Sequence, residues 1–385
     1  MGAHLRRDGQ RMRYGMNPHQ KAEVISGGPR ILNGEPSMIN YLDALNAAAL
    51  AHEADQYTGR PAAASFKHVS PAGAAVAGEI DETAAGTWSV PVSASGSLLS
   101  AYVRARDADP KSSFGDVVAL SRPVDLETAE FLSTVICDAL IAPGFEPGAA
   151  DLLRRKRAGR FLLFEADRTT ALPSRERRDV LGVTLEQDRD TADLAAALPD
   201  DLAPAVRIDA LLGMVTARYT QSNSVVLVKD GSAIGIGAGQ QNRVDCVRLA
   251  GAKARIWWLR RHEIVDSLPR VEGMKRQDRL NWQIRFAGHE MTRGQLADFT
   301  ALFGTDAAAR YDDQTWRDAG MHDLRGITLV SDGFLPFRDN VDHAAEFGVT
   351  SIIEPGGSTR TAEVAAAAHE FGIAHVQTGL RLFHH

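Results

Sequence analysis

Residues 216–254 read TARYTQSNSVVLVKDGSAIGIGAGQQNRVDCVRLAGAKA. A polar run from Tyr219 to Ser224 opens the segment. An apolar strand over 225–228 follows. Asp230-Gly231 supplies the positive φ angles of a tight hairpin turn, and a second strand over 233–236 ends in Gly237-Ala238-Gly239. Gln240-Gln241-Asn242-Arg243 then leads into a helix whose inner face is Val244, Val247, Gly251, Ala254 and Trp258. A polar loop therefore lies at one end of a hairpin and a glycine-rich, arginine-bearing helix start at the other. Such a place suits a polar, anionic small molecule.

Outward from this segment, the 385 residues are enough for two packed units of similar size. The 44% apolar and 24% charged residues are ordinary for a globular enzyme. A net charge of −6 argues against a nucleic-acid partner. Cys137 and Cys246 stand far apart, so neither a disulfide framework nor a cysteine-rich zinc site is expected. No stretch is as long as a membrane span. The N-terminal run has basic residues without an apolar core and does not read as a signal peptide, so a cytoplasmic protein is expected.

Along the chain, 11–20 (RMRYGMNPHQ) is a loop or arm, and Arg13 and Tyr14 on it could simply lie on the surface. Residues 40–53 form an amphipathic helix with Leu42, Leu45, Ala49 and Leu50 inward. A strand over 62–66 stops at Lys67-His68 and turns through Pro71 and Gly73. Taken alone, that pair is more often an exposed loop than a catalytic dyad. Strands follow at 117–120 and 138–142, and the basic run 154–160 reads as a solvated break between units. Residues 173–201 read as a crossover with one strand-like run near 180–185, and 205–217 as a helix. The segment 262–324 reads as an exposed helical insertion with Arg285, His289 and Arg293 at helical spacing. Beyond it, strands at 349–353 and 373–376 flank a helix over 361–371. Asp339 reads as the N-cap of a further helix, and Leu380 and Leu382 alternate like a packed strand. The strand ends Ile141-Ala142-Pro143-Gly144 and Ile353-Glu354-Pro355-Gly356, each after a helix opened by Val-Asp, form a faint internal repeat.

Several segments together resemble the AICAR transformylase half of the bifunctional purine enzyme that also carries IMP cyclohydrolase. They are RYGMNPHQ, PAAASFKHVSPAGAAV, SSFGDVVALS, YTQSNSV, IGIGAGQQNRVDCVRLAGAKA, WWLR, FLPFRDNVD and LRLFHH. They run in order along nearly the whole chain. Ser-Pro-Ala-Gly after Lys-His is closer to the animal type than to the common bacterial type, in which Asn-Pro-Cys-Gly follows. Only a short run precedes RYG, so the resemblance implies a free-standing transformylase that leaves ring closure to a separate IMP cyclohydrolase.

The resemblance implies an α/β fold of two tandem cytidine-deaminase-like α/β/α subdomains, 1–165 and 166–385, with the helical insertion 262–324 in the second. It implies formyl transfer from 10-formyltetrahydrofolate, the co-substrate, to the 5-amino group of AICAR. That amine is a weak nucleophile, so a base must take its proton, and His68 matches. Lys67 and Asn223 match the groups that stabilise the oxyanion. Arg13, Tyr14, Gly115, Asp138, Asn223, Phe334 and Arg381 match AICAR-binding positions, with Phe334 stacking on the base. Arg243, Val244, Pro336, Asp339, Ser358 and Thr359 match folate-binding positions. A structural potassium ion is implied at Thr220, Ser222, Ser224, Asp332, Leu382 and His384, and a homodimer with active sites across its interface. Zinc deaminase chemistry is set aside, because neither H-x-E nor P-C-x-x-C is present. Two alternatives stay open: a non-catalytic sensor of AICAR or folate, and a transformylase with another formyl donor.

Overall fold

A computed structural model describes residues 10–166 and 173–385. The run 1–9, part of the N-terminus read above for a signal peptide, lies outside the described residues. The short strands β1 (Gln10–Arg11) and β2 (Glu23–Val24) pair with each other, and β3 (Arg30–Asn33) precedes helix α1 (Met38–Thr58). A hairpin of β4 (Ala62–Lys67) and β5 (Ser70–Val76) follows, then α2 (Glu82–Trp88), α3 (Leu98–Ala108), β6 (Asp116–Leu120), α4 (Leu126–Thr134), β7 (Cys137–Ala142), α5 (Ala149–Arg154) and β8 (Leu162–Glu165).

An exposed antiparallel ribbon of β9 (Arg175–Val180) and β10 (Val183–Asp188) leads to α6 (Pro204–Arg218). The hairpin β11 (Val225–Lys229) and β12 (Ser232–Gly237) follows, with Asp230 and Gly231 both at positive φ as their dipeptide requires. Then come α7 (Arg243–Leu259), the helical segment α8 (Glu263–Asp266), α9 (Arg276–Gly288), α10 (Arg293–Phe303), α11 (Thr305–Asp312) and α12 (Thr315–His322), and finally β13 (Ile327–Ser331), α13 (Asp339–Glu346), β14 (Val349–Glu354), α14 (Thr361–Glu370) and β15 (Ala374–Gln377). Among the described residues no helix is long and apolar enough to cross a membrane.

The two halves repeat one plan: helix, hairpin, helix, an antiparallel strand, then two parallel strands reached through helices. Their strands form one mixed sheet of eleven, ordered β15-β14-β13-β11-β12-β5-β4-β6-β7-β8-β3. The halves meet antiparallel at β12 and β5, where Ser232 pairs with Ala75. The faint echo in sequence falls at equivalent places, α4 to β7 and α13 to β14. On one face α1 and α6 cover both halves, and Ala44, Ala47, Leu50, Leu211 and Met214 share one core with Phe66, Val117, Val226 and Val330. On the other face α3 and α7 lie on the two hairpins. A Cβ on Gly73 would stand 2.0 Å from the Ala105 carbonyl oxygen, and one on Gly237 2.0 Å from that of Cys246. These glycines let the helices lie directly on the strands.

Several details differ from the sequence reading. Pro71 and Gly73 lie within β5 instead of the turn, which is His68-Val69 because Lys67 pairs with Ser70. On α7 Val247, Gly251 and Ala254 are buried with Cys246, Ala250 and Leu259, whereas Val244 and Trp258 are half-buried. The inner face of α1 is Tyr41, Ala44, Ala47, Leu50, Ala51 and Ala54, while Leu45 is exposed. Small residues face inward because α1 packs closely on the alanine-rich β4. Arg338, not Asp339, occupies the N-cap of α13. Leu380 and Leu382 lie in an irregular terminal segment rather than a strand, although Leu382 is buried. The helical segment has a core of its own, with Phe299 and Trp316 stacked on Phe286 and Tyr311 tilted against it, and His289 ends α9 in the left-handed conformation.

Candidate active site

The strand directions place the site. The C-terminal ends of β4, β12, β13, β14 and β15 and the N-terminal ends of β6, β7 and β11 share one edge of the sheet. Lys67, His68, Gly115, Asp138, Asn223, Arg243, Asp332, Phe334 and Ser358 all stand at that edge. Arg13 and Tyr14 join it at the start of α1, where Arg13 N–H donates to the Pro36 carbonyl (2.9 Å) and Met38 N–H to that of Tyr14 (3.1 Å). Arg13 also donates to the Tyr14 hydroxyl at 2.8 Å.

Within the edge the residues form two groups. Lys67, Gly115 and Asp138 line a cavity of about 540 Å³ together with Phe114, Lys156 and Arg157. Lys67 Nζ donates to the Phe114 carbonyl at 2.5 Å. Arg157 pairs with Asp138 at 2.5 Å. Beneath the 112–116 loop a buried network fixes Gly115. Ser65 Oγ bonds Ser113 Oγ (2.8 Å) and Asp116 Oδ2 (2.7 Å), and Arg106 pairs with Asp116 at 2.8 Å.

His68 stands exposed at the tip of the β4–β5 turn. Lys67 pairs with Ser70, so His68 and Val69 are the two central residues, at φ 54° and 58°. Both values lie in the left-handed region, where a β-branched residue is a true outlier. Asp43 on α1 holds the turn, its Oδ1 accepting the Val69 N–H at 2.6 Å. Burial pushes the Asp43 carboxyl up, while that N–H and the His68 and Lys67 charges pull it down. The second repeat does the same with Asp209 on α6, which accepts from Asp230 (3.2 Å) and Gly231 (2.6 Å). Its turn is Lys229-Asp230-Gly231-Ser232, against Lys67-His68-Val69-Ser70 in the first. One repeat fills the strained positions with Asp and Gly, which suit them. The other keeps His and Val, and strain retained where a relaxed alternative exists marks a functional place.

The second group is centred on Asp332, which is fully buried. It accepts from Arg243 Nη1, from Ser222 Oγ at 2.6 Å and from Ser224 N–H at 3.0 Å. Arg243 Nη2 donates to Asn223 Oδ1 at 3.0 Å, and Asn223 Nδ2 to the Gln240 carbonyl at 3.0 Å. The terminal segment is tied in by Leu382 N–H to the Asp332 carbonyl (2.8 Å) and His384 N–H to Ser222 Oγ (3.0 Å). Thr220 Oγ1 donates back to the Thr216 carbonyl at 2.6 Å. Arg243 is thus buried and aimed at Asp332, and Val244 beside it is half-buried. The glycines before it, Gly235 and Gly237, serve helix packing rather than anion binding. Phe334 and Arg381 are exposed, with the Arg381 guanidinium over the Phe383 ring at 4.6 Å.

Pro336 and Ser358 sit on neighbouring loops joined by Glu354, whose Oε2 accepts from Leu335 N–H (3.3 Å) and Gly356 N–H (2.9 Å) and whose Oε1 meets His375 at 2.9 Å. Thr359 and Asp339 are exposed nearby. Among the described residues no hydrogen bond joins the Lys67 group to the Asn223 group. The sequence reading does not single out Asp43, Asp209 or Glu354. A carboxylate on the covered face of a helix, or at a strand end before Pro-Gly-Gly, is the signal available for them.

A model of the AICARFT/IMPCHase bienzyme family matches residues 3–253. The chain belongs to this family. It is 33% identical to the bifunctional purine biosynthesis protein PurH of Roseobacter denitrificans over 98% of its own length and 60% of that protein's. To PurH of Cereibacter sphaeroides it is 32% identical over 98% and 60%, and to PurH of Rhodospirillum rubrum 31% over 98% and 59%. The chain therefore spans about 60% of the length of these relatives.

Proposed function

We propose that the chain is a purine-biosynthetic enzyme that transfers the formyl group of 10-formyltetrahydrofolate to the 5-amino group of AICAR. The observation that carries this reading is the common sheet edge. Residues scattered from Arg13 to His384, all of them matching transformylase positions, stand on it together. Kinship with the purine biosynthesis protein PurH supports the pathway. His68, at the tip of a strained turn, takes the amine proton as nitrogen attacks. Lys67 and Asn223 stabilise the oxyanion, and Lys67 can deliver the proton that the folate nitrogen takes on leaving. Arg13, Tyr14, Gly115, Asp138, Phe334 and Arg381 hold the nucleotide. Arg243, Val244, Pro336, Asp339, Ser358 and Thr359 hold the folate.

Three further parts belong to the proposal. Each half follows a cytidine-deaminase-like plan, as the repeated order of elements supports. A potassium ion beside Asp332, held by Thr220, Ser222, Ser224, Asp332, Leu382 and His384, is supported by the buried Ser224 Oγ, which has no hydrogen-bond partner, and by the bonds that tie Ser222, Leu382 and His384 to the Asp332 segment. Arg243 already meets the Asp332 charge, so the ion's role would be structural. The active unit is a homodimer, one copy supplying the Lys67 group and the other the Asn223 group.

The test is tetrahydrofolate release by purified protein given AICAR and 10-formyltetrahydrofolate, beside His68→Ala and Lys67→Ala. Turnover by the parent, reduced roughly 10²–10⁴-fold in the His68 variant, supports the reading. AICAR binding with no tetrahydrofolate formed in the parent would leave a sensor or another donor.

A further inference from the structure

Glu354 ends β14, where the chain enters Pro355-Gly356-Gly357-Ser358. Parallel pairing sets Ile352 against His375 and Glu354 against Gln377. Side chains alternate along a strand, so Glu354, His375 and Gln377 share the face of Ile352. Further back that face is apolar, and Ile352 shares a core there with Val341 of α13 and Val364 of α14. A carboxylate at its rim, with a side chain 2% exposed, is costly unless both oxygens find partners. Oε1 meets His375 Nε2 at 2.9 Å, and among the described residues no lysine or arginine pairs with Glu354. Oε2 accepts from Leu335 N–H at 3.3 Å and Gly356 N–H at 2.9 Å. Neither Leu335 nor Gly356 belongs to a strand or helix, so no ladder fixes these two groups.

The partners lie on three separate segments. Leu335 stands between Phe334 and Pro336. Gly356 begins the turn that carries Ser358 and Thr359. The main-chain carbonyl of Glu354 accepts from Thr378 N–H at 2.9 Å, and that of Pro355 from Gly379 N–H at 3.0 Å, which sets the segment running on to Arg381. The turn also closes tightly on β15. Gly356 has a φ of 72°, and a Cβ there would stand 2.7 Å from Gln377 Oε1. One buried carboxylate and the strand end that bears it therefore fix the spacing of loops on which proposed nucleotide and folate contacts stand.

We propose that Glu354, oriented by His375, is a positioning residue that holds the 334–336 and 356–359 loops at the spacing the formyl donor needs. The assignment rests on the reading of the chain as a folate-dependent transformylase. Glu354 is buried, so it acts through Pro336, Ser358 and Thr359. Lys67 and His68 stand in the other group of the sheet edge. Loss of the clamp therefore weakens donor binding and spares the chemical step.

The experiment follows the parent, Glu354→Ala, Glu354→Gln and His375→Leu by amide hydrogen exchange and by steady-state kinetics with 10-formyltetrahydrofolate. Exchange in segments 333–338 and 355–359 rises in Glu354→Ala and His375→Leu, while β11 and β13 keep the parent's protection. Glu354→Gln keeps an acceptor for both N–H groups and restores the parent's exchange. The donor KM rises about tenfold in Glu354→Ala, as loss of two hydrogen bonds implies. It returns in Glu354→Gln, and kcat keeps its parent value. Parent-like exchange of the two loops in Glu354→Ala or in His375→Leu overturns the proposal. So does a Glu354→Gln variant as impaired as Glu354→Ala, or a loss confined to kcat. A rise that spreads to β11 and β13 marks a merely structural role and also overturns it. Exchange needs no substrate, so it decides the clamp even if the parent releases no tetrahydrofolate, an outcome that counts against the transformylase reading instead.

Discussion

Val69 holds a φ of 58° in the turn that carries His68, while the equivalent place in the second repeat is Gly231 at 74°. The two turns share a frame of Lys, two left-handed residues and Ser, and each is held by a carboxylate from the helix that precedes its hairpin. The left-handed conformation costs a residue with a Cβ about 1–2 kcal/mol, and glycine gives part of this back as lost chain entropy. Val69→Gly is therefore expected to raise stability by up to about 1 kcal/mol without abolishing turnover, since Lys67 and His68 keep their place. The reciprocal Gly231→Val is expected to lower stability by about 2–4 kcal/mol, because its Cβ would also stand 2.7 Å from Val76 Cγ2. Urea unfolding of the two variants beside the parent checks both signs. Destabilisation by Val69→Gly together with tolerance of Gly231→Val would remove the case that the first turn is strained.

At the scale of the element, each hairpin is clamped to a helix, and the second clamp is sensitive to pH. Burial is the leading cause that pushes the Asp209 carboxyl to about 6, with the N–H donors of Gly231 and Asp230 acting against it. An unfolded aspartate titrates near ~3.9. Between those values the folded chain holds a proton that the unfolded chain has released, so stability falls as pH rises. The contribution is complete below about pH 4 and is lost through about pH 6, a change of about 3 kcal/mol. Asp209→Asn should remove that slope. The unfolding free energy of the parent minus that of the variant then falls by about 3 kcal/mol as pH rises through the window and is flat on either side of it, as urea midpoints at several pH values would show. Parallel curves would mean that Asp209 is ordinary. The second hairpin was legible in sequence because Asp-Gly names its own turn. The first was misplaced, because Pro71 and Gly73 look like the turn while His-Val carries no turn signal, and the Asp43 bond holds the shape. The buried face of α1 was also hidden, since alanines packed on an alanine strand leave little hydrophobic pattern. The glycines of β12 were visible, but their purpose was not: a sequence shows that Cβ atoms are missing, and only the overlying α7 shows that the space belongs to a helix backbone.

At the scale of the whole molecule, the repeat explains why residues so distant in sequence share one edge. The halves join antiparallel at β12 and β5, so the turn end of the first hairpin and the open end of the second point the same way. Motifs in order along the chain named the residues of this edge, but not its division into a Lys67 group and an Asn223 group. Each group faces outward, and Phe114, Phe334 and Phe383 beside them are exposed, as are Val180, Leu181, Val183 and Leu185 on the ribbon. Exposed apolar side chains of this kind are what the proposed homodimer would bury. If the site is composite, two inactive chains can repair each other. Lys67→Ala and Asn223→Ala each lose activity alone. Mixed under conditions that exchange subunits, half of the dimers pair one variant with the other, and each such dimer has one intact site and one doubly defective site. Activity should return to about a quarter of the parent level, with matched melting curves showing that both variants are folded. A site complete within one chain would give no recovery on mixing, and the Lys67 and Asn223 groups would then have to close on each other by movement of the two repeats about the β12–β5 join.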